Sequence, residues 1–326
     1  MKNIVFLGGS VTEGAGATNI NNSYVNIVSE FLKEKYEAIN ITNSGAGGTA
    51  SQFGIFRIKR DVARHSPDIV FIEFAVNDRI YSSKKSSTYF EGLIRELLKL
   101  NCKLICIETP TGMADACASI HKKIACYYNV PVIDVQDKVW QQIECGKYCW
   151  NDISIDNLHP NDLGHKIYGQ VIINSLRMMN LDNINQIFKE KPLMNYNLNN
   201  PYVETYEKCT FYGSWYEKSF LLNNKFDLAA VTDNIGDCLE FDFSGKALGI
   251  MCLLSKDSGR IECLLDNKYT FEVDLYTNSD GSFSNMVNIM DLNEGKHNLL
   301  IKVSDRKNQS SIGNKIVIGG FLVDED

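Results

Sequence analysis

The period of the hydrophobic pattern changes once along this chain, close to residue 201. Before that point short apolar runs alternate with amphipathic stretches, which is typical of βαβ units around a parallel sheet. After it, apolar and polar residues alternate with a period of two, and turns rich in Gly, Ser and Asn separate the runs. The sequence therefore predicts an α/β domain followed by an all-β domain.

We place the α/β domain at residues 1–185, a polar linker rich in Asn at 186–200, and the all-β domain at 201–326. The first domain is predicted to have buried strands at 4–7, 39–42, 69–74, 104–108 and 130–134, and amphipathic helices at 24–35, 53–64, 90–100, 114–128 and 163–179. The second is predicted to have strands at 238–243, 247–254, 260–265, 270–275, 297–303 and 315–323. Their close spacing without intervening helices favours an antiparallel sandwich of the jelly-roll type.

Composition argues against several classes of function. The 326 residues carry a formal net charge of −7, so the chain has no electrostatic footprint for nucleic acid or an anionic membrane surface. Its apolar stretches all fall short of the ~20 residues that cross a bilayer, and the N-terminal run is too short for a signal peptide. The ten cysteines are scattered, several within apolar runs, as is typical of reduced thiols. We therefore expect a cytoplasmic protein.

The first predicted strand ends abruptly in Gly8-Gly9-Ser10. In an open α/β sheet, ligands bind at the carboxyl ends of the strands, so this turn would present the hydroxyl of Ser10 at the binding edge. Glycines before the serine remove side chains that would crowd an attacking oxygen or its substrate. The sequence predicts that Ser10 is a nucleophile, with an ordinary turn serine as the alternative.

A serine becomes a useful nucleophile when a base takes its proton, a third group orients that base, and donors receive the oxyanion. Asp156 and His159 lie three residues apart just before the last predicted helix of the α/β domain. The glycine-rich run 43–48 follows the second strand and offers a backbone N–H, and Asn77 follows the third strand with its side-chain amide. A parallel sheet would gather all of these groups at one edge.

These four blocks resemble those of the SGNH, or GDSL-like, hydrolase family. The resemblance assigns Ser10 as nucleophile, His159 as base and Asp156 as its partner, and it completes the oxyanion hole with the amides of Ser10 and Gly48 and the side chain of Asn77. It implies a flavodoxin-like, three-layer α/β/α fold for the first domain. The second domain resembles, more loosely, the jelly-roll partner of several bacterial carbohydrate esterases.

The chain departs from the family pattern at two positions. Gly9 stands where the family usually has Asp in Gly-Asp-Ser, and Ala75 stands where Gly begins Gly-x-Asn-Asp. Neither change removes a catalytic atom. Gly9, Glu73 and Trp215 are candidate substrate contacts. The alternative for Glu73 is a carboxylate that merely ends its strand, and for the aromatic run that contains Trp215 core packing explains most of the residues, with a sugar platform or a lid over the cleft as the functional alternative.

We expect the remaining histidines to be structural or solvated. His65, His121 and His297 lack a catalytic context, and His165 is expected to cap or pack within the last helix of the first domain. Asp78, beside Asn77, is expected to bond backbone or shape its loop.

No cofactor or metal is expected. His159, Asp162 and His165 are close in sequence, but their spacing is not that of His-Glu-x-x-His and no Cys/His cluster completes a zinc site. The glycine runs also lack the Gly-Lys-Ser/Thr ending of a phosphate-binding loop.

Taken together, these features predict a serine esterase that forms an acyl-enzyme and removes a small acyl group, acetyl, from a carbohydrate. The expected substrate is an acylated carbohydrate or another small ester. The sequence leaves open whether the chain forms a homo-oligomer. Three alternatives stay open: an acyltransferase to a sugar hydroxyl, a lipase or thioesterase, and a carbohydrate-binding protein without activity.

Overall fold

The computed structural model describes residues 1–79, 83–112, 117–222, 224–279, 282–284 and 290–325. The chain divides into two units, Met1–Asn197 (unit 1) and Leu198–Asp326 (unit 2). In the described part of the chain, no helix is both long enough and apolar enough to cross a membrane.

Strands and helices alternate along unit 1. Its strands are β1 (Lys2–Gly8), β2 (Ile39–Gly45), β3 (Ile69–Glu73), β4 (Lys103–Glu108) and β5 (Val132–Asp134). Its α-helices are α1 (Ser10–Glu13), α2 (Tyr24–Lys35), α3 (Ser51–Phe56), α4 (Ile58–Asp61), α5 (Ala75–Asp78), α6 (Ser83–Leu98), α7 (Cys117–Tyr127), α8 (Val135–Glu144), α9 (Trp150–Ile153) and α10 (Asp162–Met178). Single 3-10 turns occur at Ile20–Asn22, Ala63–His65 and Leu181–Asn183.

The predicted helices are present, with three differences in their bounds, of which the earlier start of α6 at Ser83 in place of residue 90 is the first. The predicted helix 53–64 is divided into α3, α4 and a 3-10 turn, because the chain leaves helical geometry at Arg57 and again at Val62. The helix predicted from 114 is observed from Cys117 onward, and its first residues, with Asp115, lie outside the described part of the chain.

Among the described residues, five parallel strands form the sheet of unit 1 in the order β2-β1-β3-β4-β5. This is the flavodoxin-like strand order that the resemblance implied. Ile4 and Phe6 of β1 belong to a core shared with α2, α8 and α10, and the alternate residues Val5 and Leu7 are equally buried on the opposite face. Both faces of the sheet are therefore covered, which confirms the predicted α/β/α arrangement.

The register of the sheet places three chain turns side by side. Gly8, the last residue of β1, is paired with Gly45 of β2 on one side and with Glu73 of β3 on the other. The segments that begin with Gly9, Ala46 and Phe74 consequently start at the same edge of the sheet.

Unit 2 consists of antiparallel strands. They are β6 (Pro201–Thr205), β7 (Thr210–Tyr212), β8 (Tyr216–Leu222), β9 (Phe226–Thr232), β10 (Cys238–Ser244), β11 (Ala247–Leu254), β12 (Arg260–Leu265), β13 (Tyr269–Asp274), β14 (Ser282–Ser284), β15 (Met290–Asp291), β16 (Lys296–Val303) and β17 (Ile316–Asp324), with a 3-10 turn at Tyr206–Lys208. One sheet has the order β13-β12-β16-β10-β7, and the other has the order β14-β11-β17-β9-β8 with β15 beside β11 and β6 beside β17.

The core of unit 2 lies between these two sheets. Phe241 of β10 and Phe321 of β17 come from different sheets and stack with ring centroids 4.0 Å apart. Side chains from β10, β11, β12, β13, β16 and β17 complete this core. The all-β sandwich is as predicted, and its jelly-roll connectivity stays a prediction.

The predicted linker 186–200 differs from what is observed, because its residues up to Asn197 belong to unit 1. The buried carboxylate of Glu91 on α6 accepts hydrogen bonds from the backbone N–H groups of Leu193 and Met194, and the Arg95 guanidinium donates to the carbonyl oxygen of Lys189. The Asn-rich composition suggested a free connection, but backbone groups of this segment and the side chains of Gln186 and Tyr196 contact the rest of unit 1.

Candidate active site

Ser10 begins the short helix α1, two residues after the end of β1. Its side chain is nearly covered, with 7% of the residue exposed. Gly9 leads into the helix with extended backbone angles, and a Cβ atom there would lie 2.1 Å from Oδ1 of Asn77. The missing side chain at Gly9 thus allows Asn77 to lie directly against the backbone beside the serine.

A continuous chain of hydrogen bonds connects Ser10, His159 and Asp156. Ser10 Oγ lies 2.9 Å from His159 Nε2, and His159 Nδ1 lies 2.8 Å from Asp156 Oδ2. Asp156 Oδ1 also accepts the backbone N–H groups of Leu158 and His159, at 2.6 and 2.7 Å. Although partial burial alone would raise the pKa of Asp156, these hydrogen bonds, led by the one from the His159 side chain, lower it. The carboxylate is held ionised in one orientation.

The loop that carries Asp156 and His159 is anchored on both sides. The indole N–H of Trp150 donates to the carbonyl oxygen of Asp156 at 2.9 Å. The backbone N–H of Gly112 donates to the carbonyl oxygen of Asn157 at 2.8 Å. Gly16 has a φ of +91°, and a Cβ atom there would lie 2.0 Å from the carbonyl oxygen of Pro160. Sequence reasoning missed Gly16, because only the close approach of two loops reveals why this position excludes a side chain.

The glycine-rich segment after β2 passes beside Ser10. A Cβ atom at Gly47 would lie 3.7 Å from Cβ of Ser10 and 2.4 Å from Oε2 of Glu13. Gly48 has a φ of +71°, and none of the described atoms lies within 4 Å of the place its Cβ would take. Asn77 is on α5, directly after β3. The structure therefore brings Ser10, Gly48 and Asn77 to the same edge of the sheet.

Glu73, expected as a substrate contact, lies beneath the serine turn and does not reach the surface. Only 1% of the residue is exposed, and its carboxylate accepts hydrogen bonds from the hydroxyls of Thr109 at 2.8 Å and Thr12 at 3.2 Å. Its carbonyl oxygen accepts the N–H of Gly9. Burial raises the pKa of Glu73 to about 7, with a further contribution from nearby Glu108. Its position at the end of β3 suggested that Glu73 could reach a substrate, but the turn of α1 covers its side chain.

Arg57 is a supporting residue that the sequence did not reveal. Its fully buried guanidinium donates to the carbonyl oxygens of Ser44 and Gly8, at 2.7 and 2.9 Å, and pairs with Asp61 at 2.9 Å. It thereby joins the carboxyl ends of β1 and β2. In the sequence Arg57 lay in a stretch read as one amphipathic helix, with no sign that its charge is buried.

His165 and His297 contact groups outside the hydrogen-bonded chain of Ser10, His159 and Asp156. His165 Nδ1 accepts the backbone N–H of Tyr24, its Nε2 contacts the carbonyl oxygen of Ala15, and burial lowers its pKa. A neutral ring that donates from Nε2 satisfies both contacts. His297 pairs with Asp266 in unit 2. Within the described ranges, no group of three or more His, Cys, Asp or Glu side chains is arranged to hold a metal ion.

Trp215, the other expected substrate contact, belongs to unit 2. It packs against the core of that unit, with its ring centroid 5.6 Å from that of Phe211. A role for Trp215 toward a substrate stays a prediction.

The family of unit 1 follows from comparison with known families. The model of the GDSL-like lipase/acylhydrolase family matches residues 6–167, a range that contains Ser10, Gly48, Asn77, Asp156 and His159. The chain belongs to this family. As a GDSL-like acylhydrolase it is a carboxylic ester hydrolase, which confirms the class of enzyme expected from the four blocks.

Solved structures show that this GDSL-like protein shares a two-domain fold. A two-domain esterase (CEX) active on acetylated mannans matches it with a TM-score of 0.85 and 22% sequence identity over 100% of this chain and 92% of the other. The same esterase co-crystallized with mannopentaose matches with a TM-score of 0.85 and 22% identity over 100% of this chain and 91% of the other. No curated protein matches this chain.

Proposed function

We propose that this GDSL-like acylhydrolase is a serine esterase in which Ser10 is the nucleophile, His159 the general base and Asp156 the residue that orients the base. The observation that carries the proposal is the unbroken hydrogen-bonded chain from Ser10 Oγ through the imidazole to the Asp156 carboxylate. Asp156 accepts the Nδ1–H of His159, so the lone pair of Nε2 faces the serine hydroxyl.

In the first half of the reaction, Ser10 Oγ attacks the ester carbonyl carbon while its proton passes to His159 Nε2. The tetrahedral intermediate collapses, the bond to the alcohol breaks, and the imidazolium returns the proton to the leaving alkoxide. In the second half His159 takes a proton from water, which attacks the acyl carbon; the bond to Ser10 Oγ then breaks, His159 returns the proton to Oγ, and the carboxylic acid is released. Asp156 stays ionised throughout and stabilises the imidazolium.

The oxyanion of each intermediate is proposed to bind the N–H groups of Ser10 and Gly48 and the side-chain amide of Asn77. Ser10 is the first residue of α1, and the amides of a first helical turn have no partner within the helix. Oδ1 of Asn77 lies 2.1 Å from the place that a Cβ atom of Gly9 would take, so the side-chain amide of Asn77 is beside the serine turn. Gly48 borders open space, as a donor to a bound substrate must.

The substrate we propose is an acetyl ester of a carbohydrate, with unit 1 as the catalytic domain and unit 2 as an accessory β-sandwich. The support is the likeness over the full chain to an esterase that acts on acetylated mannans. The two share 22% identity, so the likeness concerns the fold and the substrate class is ours to test.

The test compares Ser10→Ala with Ser175→Ala, a control serine whose hydroxyl only donates to a carbonyl within α10. With p-nitrophenyl acetate, Ser10→Ala is expected to lose about 10⁶-fold in kcat/KM while the control keeps the activity of the unchanged protein. A fluorophosphonate should label the unchanged protein and the control but not Ser10→Ala. Hydrolysis by Ser10→Ala at the rate of the unchanged protein refutes the nucleophile assignment.

The substrate class is tested with esters from acetate to octanoate and with acetylated mannan, acetylated xylan and acetylated simple sugars. We expect a preference for acetate and release of acetate from a carbohydrate. A strong preference for long chains would overturn the acetyl assignment. Transfer of acetyl to an added acceptor sugar in place of water would show an acyltransferase.

A further inference from the structure

A buried ion pair between the last residue of the Asn77 block and a histidine outside the four family blocks lies behind the two loops of the proposed oxyanion hole. It joins Asp78 at the end of α5 to His121 in the middle of α7, and His121 Nε2 lies 3.0 Å from Asp78 Oδ2. Their side chains are 0% and 1% exposed. Water therefore stabilises neither charge, so each charge is stabilised by its partner and by other groups of the protein.

Asp78 connects the two loops through one carboxylate. It directly follows Asn77, and its Oδ1 accepts the backbone N–H of Ser51 at 2.7 Å. Ser51 is the first residue of α3 and stands three positions after Gly48. A Cβ atom at Gly54, one turn along α3, would lie 2.7 Å from the ring of Phe74, so α3 and the start of α5 are already in close contact. The position of Asp78 thus sets the distance between the Gly48 segment and Asn77.

His121 is positioned between Asp78, a second carboxylate and an aromatic ring. Its Nδ1 lies 3.6 Å from Oε1 of buried Glu108 on β4, and its ring stacks on Phe90 of α6 with centroids 3.5 Å apart. Burial alone would lower the pKa of His121, but Glu108 and then Asp78 raise it to about 10. The two carboxylates favour the charged form of the ring, which stacks on Phe90, is hydrogen-bonded to Asp78 through Nε2, and faces Glu108 with Nδ1 at a distance too long for a hydrogen bond.

We infer that His121 is a positioning residue for the reaction: by pairing with Asp78 it holds the Gly48 and Asn77 loops at the separation that the oxyanion hole requires. Without the cation, the carboxylate of Asp78 would be buried and unpaired, which is costly enough to move the loop or draw water toward it. Shifts of about 1 Å in a catalytic group are sufficient to lower rates about 10²-fold. The inference rests on the proposed function, because it needs Asn77 and Gly48 to be oxyanion donors.

The test uses His121→Leu, which removes donor and charge, and His121→Gln, which restores an N–H donor without the charge. We expect His121→Leu to lower kcat for p-nitrophenyl acetate about 100-fold with KM changed less than about threefold, and His121→Gln to recover part of that loss. Because an oxyanion hole binds the tetrahedral state, the Ki of a boronic acid that forms a tetrahedral adduct with serine should rise in parallel with the loss of kcat/KM.

The matched control is Glu91→Gln, which weakens a buried carboxylate network on α6 that holds residues 193–194. It is expected to lower stability, as the His121 variants do, but to leave kcat per folded molecule unchanged. If Glu91→Gln reduces kcat and boronate binding as much as the His121 variants do, the effect is a general one and the inference fails.

A double-mutant cycle with Asn77→Ala separates positioning from mere stability. If His121 acts through Asn77 and its loop, His121→Gln should cost less than about threefold in kcat once Asn77 is alanine, although each change alone costs more. If the two losses of kcat multiply in the double mutant, the residues act independently and the inference is overturned. An unchanged kcat in His121→Gln also overturns it. Where His121→Leu does not fold, the cycle with His121→Gln decides alone.

Failure of this inference differs from failure of the proposed function. If Ser10→Ala and Asn77→Ala are inactive but the His121 variants retain full kcat, only the positioning role is lost. If Ser10→Ala itself retains activity, the proposed function is wrong.

Discussion

Replacing Glu73 by Gln should change how the stability of the protein depends on pH. Glu73 lies beneath the serine turn, 1% exposed, and its pKa is raised from 4.5 to about 7 in the folded protein, chiefly because burial disfavours the charged form. In the unfolded chain the same carboxyl titrates near its ordinary value. Between pH 4.5 and 7 the folded state therefore holds a proton that the unfolded state has lost.

The sign follows from this difference in bound protons. The unfolded state binds fewer protons in this range, so the free energy of unfolding falls as pH rises from 4.5 to about 7 and then levels off. At about 1.4 kcal/mol per pKa unit, the raised pKa corresponds to about 3 kcal/mol of lost stability above pH 7. Gln is uncharged at every pH and close in shape to the protonated acid, so the variant should lack this loss.

The assay is urea unfolding of both proteins at pH 5, 6, 7 and 8, with the stability of the variant minus that of the unchanged protein plotted against pH. Between pH 5 and pH 8 the difference should grow by about 2.5 kcal/mol, because part of the effect is already present at pH 5. Glu37→Gln, which removes an exposed carboxyl on the loop before β2, controls for the loss of one negative charge. A difference that stays constant with pH, or one that the control reproduces, would refute the reasoning.

Three further changes test the site and its supports. Gly9→Ala places a Cβ atom against Asn77 and should lower kcat for p-nitrophenyl acetate about 10- to 100-fold at nearly constant KM; an unchanged kcat would show that Asn77 adapts without loss. Asp156→Asn should lower kcat about 10⁴-fold, because the amide no longer fixes the His159 tautomer, and a loss below about tenfold would contradict that role. Arg57→Met leaves the buried carboxylate of Asp61 with one fewer partner and should lower the free energy of unfolding in urea by about 3 kcal/mol. A decrease of less than about 0.5 kcal/mol would count against the role of Arg57 in joining β1 to β2.

The sequence was sufficient for the parallel sheet and for the location of the site. Strands buried on both faces appear as unbroken apolar runs, and their carboxyl ends lie at one edge whatever the connecting helices do. This is why residues as far apart as Ser10 and His159 could be expected to meet. The hydrogen bond between them agrees with that expectation.

The sequence pattern was too weak to predict the start of α6 and the edge strand β8. The start of α6 contains small polar residues, and Ser86 and Ser87 are nevertheless buried, so the helix was predicted to begin seven residues late. The edge strand β8 (Tyr216–Leu222) mixes aromatic and charged residues and was not predicted, since an edge strand with much of its surface exposed needs no strict alternation.

The supports of the site depend on contacts that a sequence does not state. Arg57, His121 and Glu73 are charged or titratable residues that composition would place at the surface, but each is buried with a specific partner. Their partners are carbonyl oxygens, a carboxylate and two hydroxyls that come from other elements. Only the folded arrangement shows which polar residues are paired in this way.

The segment between α10 and unit 2 determines how far the chain can be shortened. Cutting at residue 185 would remove the backbone N–H groups that satisfy Glu91 and would also remove Tyr196, whose ring lies so close to Gly92 that a Cβ atom there would be 2.2 Å away. A carboxylate and an apolar strip of α6 would then face water. A minimal catalytic fragment should therefore extend through Asn197, thirty residues beyond the last residue matched by the family, Ile167.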